Sequence, residues 1–139
     1  MYKKILVAVD GSEHSFRAAD EAVKIARLAI GSVIDVVLVA EFSKAKDEIL
    51  HSQGKEELEF SRRKMLFPLD EKLKAEDLTY KITILHGEPG PTIIKHANEG
   101  NYDLVVVGSR GLNTLQEMVL GSVSHKAVKR VDCPVLIVK

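Results

Sequence analysis

Short apolar runs recur along this sequence, separated by polar or glycine-containing stretches. Four of them lie at residues 5–9, 33–40, 104–107 and 135–138, and Asp35 is the one polar residue inside them. Runs of this length are typical of strands that are buried on both faces of a parallel sheet. We therefore expect four buried strands.

A fifth strand is predicted from a different pattern. Residues 79–85 alternate between apolar and polar side chains, with Tyr80, Ile82 and Ile84 on one side of the chain. Alternation with a period of two indicates a strand with one covered face and one solvated face. This strand should lie nearer an edge of the sheet.

The first interval between strands has the period of a helix. From residue 15 to residue 30, charged side chains form one stripe and apolar side chains form the opposite one, which predicts an amphipathic helix closed by Gly31. The apolar stripe consists of Phe16, Ala19, Val23, Ala26 and Ile30.

Three further helices are predicted from the remaining intervals. The second helix rests on the spacing of Leu58, Met65, Leu66, Leu69 and Leu73. Pro68 should kink or interrupt it, because proline lacks a backbone donor. Residues 91–98 and 122–131 predict two shorter helices, the first ended by Gly100 and the second stopped before Pro134.

The predicted elements alternate strictly between strand and helix, which is typical of α/β proteins. Right-handed crossovers would wind this chain into an open five-stranded parallel sheet in the order 3-2-1-4-5, a Rossmann-like fold with helices on both faces. Ligands bind such sheets beyond the carboxyl ends of the strands at the switch point, here between the first and fourth strands. Residues 10–12 and those from Gly108 onward should therefore form the site, whereas residues 43–55 are expected to be a surface loop.

Composition limits the classes of partner. The 139 residues are enough for one domain with a complete core, and we expect a single domain over residues 1–139. Lysine plus arginine equals aspartate plus glutamate at 20 each, so no overall charge favours nucleic acid or an anionic membrane. The single cysteine, Cys133, is expected to be a small apolar residue before Pro134. Without a disulfide, a long apolar segment or a signal peptide, the sequence favours a cytoplasmic protein.

A glycine pattern follows the fourth predicted strand. Residues 108–111 read Gly-Ser-Arg-Gly, nine residues follow, and residues 121–124 read Gly-Ser-Val-Ser before a helix. Gly108 would allow a ligand to approach the backbone, Gly111 would permit a turn with positive φ, and Gly121 would leave the start of the helix free of a side chain. The first amides of that helix would then form an anion site suited to phosphate.

This spacing of glycines closely resembles the ATP-binding pattern of universal stress proteins. The resemblance covers the whole chain. It includes Ile-Leu-Val-Ala-Val-Asp-Gly-Ser at residues 5–12, the Gly-Glu-Pro turn at residues 87–89, and Cys-Pro-Val-Leu-Ile-Val at residues 133–138. It implies an ATP-binding regulator of stress responses that binds Mg²⁺ with the nucleotide and pairs as a homodimer through the last strand, Val135–Val138.

The resemblance also implies a role for individual residues. Asp10 matches the acidic residue near the ribose and the metal ion, and Ala40 or its neighbour Val39 falls where family members hold adenine through backbone groups. The cradle for the triphosphate and ribose would consist of Gly108, Gly111, Gly121 and Ser122, with contacts added by Val123 and Ser124. Arg110 stands at a variable position of the family loop and could balance phosphate charge.

Several of these residues also have a simpler structural interpretation. Asp10 could close an Asx-turn with the next two residues, and a serine such as Ser122 is a good helix N-cap with or without a ligand. Arg110 and Lys126 could each balance phosphate charge or be merely solvated. The histidines show no metal-ligand spacing and are expected to be surface or packing residues: His14, His51, His86, His96 and His125.

Other functions fit the sequence less well than nucleotide-dependent regulation. A slow ATPase or an adenylate-transferring enzyme on the same fold is the alternative, but the sequence offers no convincing base or water-positioning group. The P-loop motif and the dinucleotide-binding motif are both absent. A response-regulator receiver would need an aspartate at the end of the third strand, where Leu85, His86 and Gly87 stand. A pure interaction module that has lost its ligand would usually lack the glycine pattern.

Overall fold

The structure is a computed structural model and describes residues 2–40, 55–110 and 121–139. In the helix that begins at Lys55, side chains are described from residue 63 onward. The strands are β1 (Lys4–Val9), β2 (Val33–Ala40), β3 (Thr79–His86), β4 (Leu104–Gly108) and β5 (Val135–Val138). The helices are α1 (Glu13–Ala26), α2 (Lys55–Ala75), α3 (Pro89–Glu99) and α4 (Ser122–Arg130).

The five strands form one sheet in the order β3-β2-β1-β4-β5, and every neighbouring pair is parallel. This confirms the predicted strand order. The register places Ile5 of β1 beside Ile34 of β2 and Leu104 of β4. β1 is therefore the central strand, and β3 and β5 are the edges, as the alternation in β3 predicted.

Two of the described helices cover each face of the sheet, because successive side chains of a strand point to opposite faces. On one face, Ile5, Val7 and Val9 pack with buried residues of α1 and α2. On the other, Leu6 and Ala8 pack with residues of α3 and with Val123 of α4. In the ranges given above, no helix is long and apolar enough to cross a membrane.

The first helix begins and ends earlier than the sequence pattern predicted. α1 begins at Glu13 because the Ser12 side chain accepts a hydrogen bond from the Ser15 amide and caps the helix. It ends at Ala26, and the chain passes through a turn before Gly31. Ile30, predicted to lie on the buried stripe, is consequently fully exposed.

Pro68 does not interrupt α2, which continues from Lys55 to Ala75. A proline inside a helix removes the hydrogen bond to the carbonyl four residues earlier, here that of Lys64. Pro68 and Lys64 are both exposed, so water can satisfy that carbonyl and the helix tolerates the proline. The predicted surface loop lies outside the described residues, except that Lys55 belongs to the helix.

The two short helices lie close to their predicted positions. α3 begins at Pro89, two residues before the predicted start, because proline is well suited to the first turn of a helix. Its last helical residue is Glu99, and Gly100 is the C-cap that ends it, as predicted. α4 runs from Ser122 to Arg130, one residue shorter than predicted.

A buried carboxylate interrupts the apolar run of β2. Asp35 is 1% exposed and accepts hydrogen bonds from the Tyr102 hydroxyl and, at 2.8 Å, from the Thr83 hydroxyl. His96 Nε2 lies 3.1 Å from its other carboxylate oxygen, and Lys81 Nζ lies 3.8 Å away. These partners come from β3, α3 and the turn before β4, so the cluster joins three parts of the chain.

The hydrogen bonds in this cluster determine the charge of Asp35. Burial acts to raise its pKa, but the hydrogen bonds from Tyr102, His96 and Thr83 and the charge of Lys81 together hold the pKa below its usual value. Burial and the hydrogen bond to Asp35 raise the pKa of the Tyr102 hydroxyl. At neutral pH Tyr102 is therefore a neutral donor to an ionised, buried carboxylate.

Replacing Tyr102 by phenylalanine should destabilise the fold. The Tyr102→Phe change leaves the buried carboxylate short of one donor, which should lower the free energy of unfolding by about 1–3 kcal/mol in urea denaturation. Tyr80→Phe is the matched control, because the Tyr80 hydroxyl donates to Asp70, a carboxylate that solvent reaches. Equal losses in the two variants would contradict a structural role for the Asp35 cluster.

Candidate functional site

The turn after β1 is closed by hydrogen bonds between side chains and backbone groups. Asp10 Oδ1 accepts a hydrogen bond from the Ser12 amide at 2.9 Å. Asp10 therefore closes an Asx-turn, one of the two roles expected for it from the sequence. The Ser15 hydroxyl donates to the Ser12 carbonyl at 2.8 Å and accepts from the Asp10 amide at 3.3 Å. Together these contacts hold the Asp10 carboxylate at the carboxyl end of the central strand.

Gly11 has two reasons to be a glycine. Its φ of +88° lies in the left-handed region, where a side chain is strained. A Cβ atom at this position would also lie 2.7 Å from Sδ of Met65, which belongs to α2. The turn is thus covered by a methionine side chain that the sequence pattern assigned only to helix packing.

Gly108, at the end of β4, lies against the first turn of α1. A Cβ atom on Gly108 would lie 2.9 Å from the carbonyl carbon of His14 and 3.0 Å from the His14 Cβ. The absence of a side chain therefore allows α1 to pack closely on β4. The sequence interpretation, that Gly108 leaves room for a ligand, missed this packing requirement.

Backbone hydrogen bonds join the ends of β4 and β5 to the start of α4. The Ser109 amide donates to the Val138 carbonyl at 2.7 Å, and the Gly121 amide donates to the Ser109 carbonyl at 2.7 Å. The Ser124 hydroxyl donates to the Gly121 carbonyl at 2.9 Å and to the Ser109 carbonyl at 3.2 Å. Residues 109 and 121 are therefore adjacent in space.

The N-terminus of α4 has a glycine where a capping side chain would stand. Gly121 is the N-cap, with φ of −63° and ψ of 161°, and makes no side-chain cap. Ser122 is the first helical residue and is exposed, so the interpretation of Ser122 as the N-cap is wrong. Helix geometry gives the amides of Ser122, Val123 and Ser124 no acceptor within α4, and the helix dipole is positive at this end.

Arg110 and His14 meet across the switch point. Nη2 of Arg110 lies 3.0 Å from Nε2 of His14, so the loop after β4 is tied to the first turn of α1. Burial lowers the pKa of His14, and the charges of Arg110 and Arg17 lower it further. His14 is thus neutral at pH 7 and accepts the hydrogen bond. The sequence interpretation of His14 as a surface or packing residue missed this contact.

The end of β2 contributes the remaining predicted residues. Val39 is half-buried and packs against the cluster that also contains Val123 of α4. The Ala40 carbonyl accepts a hydrogen bond from the Gly87 amide at 2.9 Å, so one of its lone pairs is used within the protein. Gly111 lies outside the described residues.

The Lys126 side chain reaches from α4 to the start of α3. Its ammonium group lies 3.6 Å from a carboxylate oxygen of Glu88. Its aliphatic chain covers Gly90, where a Cβ atom would lie 2.9 Å from the lysine Cδ. Lys126 therefore links α4 to the start of α3.

The structure brings most of the predicted residues to one edge of the sheet. Asp10 follows β1, Gly108 ends β4 with residues 109 and 110 after it, and residues 121–124 form the start of α4. In the parts of the chain described above, no group of three or more histidine, cysteine and acidic side chains could hold a metal ion. Mg²⁺ commonly binds through one or two carboxylates plus substrate phosphates, and Asp10 offers one such carboxylate at this edge.

Comparison with known proteins gives a consistent result over the full length. The model of the Universal stress protein family matches residues 1–139. Universal stress protein YxiE of Bacillus subtilis is 39% identical over 155 residues, with 100% of both chains covered. The solved structure of protein MJ0577 of Methanocaldococcus jannaschii has a TM-score of 0.87 at 29% identity, covering 100% of this chain and 96% of that one.

A third similar protein carries a ligand. A universal stress protein whose structure was solved in complex with cAMP has a TM-score of 0.70 at 27% identity. The match covers 99% of this chain and 96% of that protein. A protein with this fold and similar sequence thus binds an adenine nucleotide.

The packing at Gly108 predicts a stability effect that does not require a ligand. In Gly108→Ala the new methyl group would press on the backbone of α1 at His14, which the Ser12 cap holds in place. The free energy of unfolding should fall by about 1–3 kcal/mol in urea denaturation. Ser122→Ala, at an exposed helical position, is the control and should change stability by no more than about 0.5 kcal/mol. If Gly108→Ala were as stable as the control, this contact would not constrain the fold.

Proposed function

Because this chain belongs to the universal stress protein family, we propose that it binds ATP or a closely related adenine nucleotide and acts as a nucleotide-dependent regulator of stress responses in the cytoplasm. The observation that carries this proposal is the start of α4. There a glycine N-cap without a side chain lies beside the end of β4, at the switch point of a parallel sheet.

The phosphates would bind at the first turn of α4. The amides of Ser122, Val123 and Ser124 supply donors, and the helix dipole favours negative charge at this end. The Ser124 hydroxyl is engaged with two carbonyls, so this residue would contribute its amide alone. The Ser122 hydroxyl is exposed and could donate directly to a phosphate or a ribose. Gly108 contributes indirectly, by setting the distance between β4 and α1.

The ribose and any Mg²⁺ would lie near Asp10. The Asx-turn fixes this carboxylate at the carboxyl end of β1, the strand next to β4. Carboxylate oxygens are ligands that Mg²⁺ prefers, and the nucleotide phosphates would complete the coordination. An Asx-turn and a ligand contact are therefore compatible roles for Asp10.

Adenine would lie at the end of β2, beside Val39 and Ala40. Val39 and Val123 belong to one apolar cluster, so a base placed there would share an apolar wall with the start of α4. Because the Ala40 carbonyl already accepts from Gly87, the backbone of Val39 is an equally good partner for the base. The cAMP complex of the similar protein supports an adenine nucleotide as the ligand class.

The proposal includes a homodimer formed through β5. This strand pairs with β4 on one side only, and all four of its residues, Val135–Val138, are partly exposed. An apolar edge strand is open to pairing with other chains, and a second copy of β5 would cover it.

Sedimentation equilibrium at tens of micromolar, a concentration that reveals weak interfaces, should give the mass of a dimer, and a monomer mass would refute this pairing.

Gly121→Val tests the phosphate site. The φ of −63° at Gly121 is open to any residue, so the valine should be tolerated by the backbone and should act by filling the space before the first amides of α4. The dissociation constant for ATP in calorimetry should rise at least tenfold, equivalent to about 1.4 kcal/mol.

Ser122→Ala is the companion variant, because it removes a hydroxyl and keeps the backbone amides. Its loss of affinity should be smaller. The melting temperature of each ligand-free protein shows whether the fold is intact. If Gly121→Val were folded and bound ATP as tightly as the unchanged protein, the phosphates would have to bind elsewhere.

A further inference from the structure

The hydrogen bond between His14 and Arg110 joins two parts of the proposed site, the turn after β1 and the residues after β4. His14 is in the first turn of α1, four residues after Asp10 in the sequence. Arg110 directly follows Ser109, whose carbonyl accepts the Gly121 amide. A side-chain contact of 3.0 Å thus connects the turn that carries Asp10 with the loop that leads to the phosphate-binding amides.

This contact requires a neutral histidine. Arginine has no acceptor and stays protonated, so Nη2 of Arg110 must donate and Nε2 of His14 must accept. A protonated His14 would have no lone pair at Nε2 and would place a second positive charge beside the guanidinium. Protonation therefore breaks the hydrogen bond and leaves two cations at the edge of the phosphate site.

The charges around His14 favour its neutral form. Arg110 approaches from the loop after β4, and Arg17 lies one turn further along α1. Nε of Arg17 donates to the carbonyl of Lys139 at 2.9 Å, which keeps this charge near α1. Glu13 and Asp10 act in the opposite direction, but burial and the two arginines outweigh them. Without an additional anion, His14 stays neutral at pH 7.

We propose that His14 and Arg110 form a proton-linked phosphate contact, in which a bound phosphate group stabilises protonated His14 and releases Arg110 from it. This inference rests on the proposed function and adds a regulatory property to it. An anion beside both side chains replaces their mutual hydrogen bond with two charge-assisted ones. Nucleotide binding then takes up a proton, and acidification strengthens binding.

Thermodynamic linkage determines the sign of the pH effect on nucleotide affinity and restricts that effect to ligands with a phosphate group. If phosphate binding favours the protonated histidine, protonation must favour phosphate binding by the same factor. Affinity for a phosphate-bearing nucleotide should rise as pH falls from 7.5 to 5.5, by about fivefold for a typical coupling between two sites. Adenosine has no phosphate and should show no dependence on His14.

The ligand-free protein tests the hydrogen bond itself. In NMR titrations of the imidazole protons, His14, assigned by its absence in His14→Gln, should have a pKa below the ordinary value. In Arg110→Gln that pKa should rise, because the neighbouring positive charge is gone. An unchanged His14 titration in Arg110→Gln would overturn the inference before any nucleotide is added.

Calorimetry with ATP tests the coupling. His14→Gln is the matched variant, because glutamine can still accept from Arg110 through its amide oxygen but cannot titrate. Titration of the ATP phosphates themselves contributes equally to both proteins, so the readout is the difference between them. The unchanged protein should gain about fivefold more affinity than His14→Gln between pH 7.5 and pH 5.5. It should also take up more protons, measured in buffers of different ionisation enthalpy.

The possible failures can be told apart. If both proteins bind ATP with the same pH dependence and proton uptake, the proton-linked contact is wrong and the proposed nucleotide site stands. If adenosine shows the same difference between the two proteins, the coupling does not involve phosphate and the inference is again wrong. If neither protein binds ATP at any pH while the ligand-free titrations behave as expected, the proposed function fails and the phosphate contact fails with it.

Discussion

The adjacency of β1 and β4 in a parallel sheet is the constraint on which the site depends. From the ends of these neighbouring strands the chain leaves toward opposite faces, to α1 on one and to α4 on the other. Such a switch point leaves a crevice at the carboxyl edge of the sheet, because no connection crosses it. The close packing of Gly108 on His14 sets the distance between β4 and α1. The hydrogen bond between Arg110 and His14 joins the residues after β4 to the first turn of α1.

Most of the fold could be predicted from the sequence because its determinants are local. Apolar runs with a length and period typical of strands, separated by helical stripes, were sufficient to predict five strands and their order. Errors arose where a local rule was outweighed by context. Ile30 has the spacing of the α1 stripe, but the helix ends at Ala26. Pro68, expected to kink or interrupt α2, does not interrupt it, because Pro68 and Lys64 are exposed and water can satisfy the Lys64 carbonyl.

The candidate site was predictable in outline, since glycine spacing and the switch-point rule both pointed to the loops after β1 and β4. Its internal contacts were not predictable, because they join residues far apart in the chain. His14 and Arg110 are separated by 96 positions, and nothing in either local segment indicates that they meet. The contact of Met65 with Gly11 and the hydrogen bond from the Gly87 amide to the Ala40 carbonyl also join residues far apart in the chain. Ser122 was misassigned as the N-cap, because helix starts vary by one or two residues and a glycine cap carries no side-chain pattern.

The buried cluster around Asp35 lies at a different place in the fold and serves a different purpose. Asp35 is near the amino end of β2, whereas the candidate site is at the carboxyl ends of the strands. Its partners satisfy the charge within the protein, which distinguishes it from the start of α4, where helix geometry leaves the first amides without an acceptor in the helix. We therefore assign Asp35 a structural role, because its partners all lie within the protein.

The most direct measurement follows the backbone amides at the start of α4 during titration with ATP. In ¹⁵N-labelled protein, the amide resonances of Ser122, Val123 and Ser124 should shift together and saturate, and adenosine should move them much less. If ATP bound and moved other resonances while these three amides stayed unchanged, the start of α4 would not be the phosphate site.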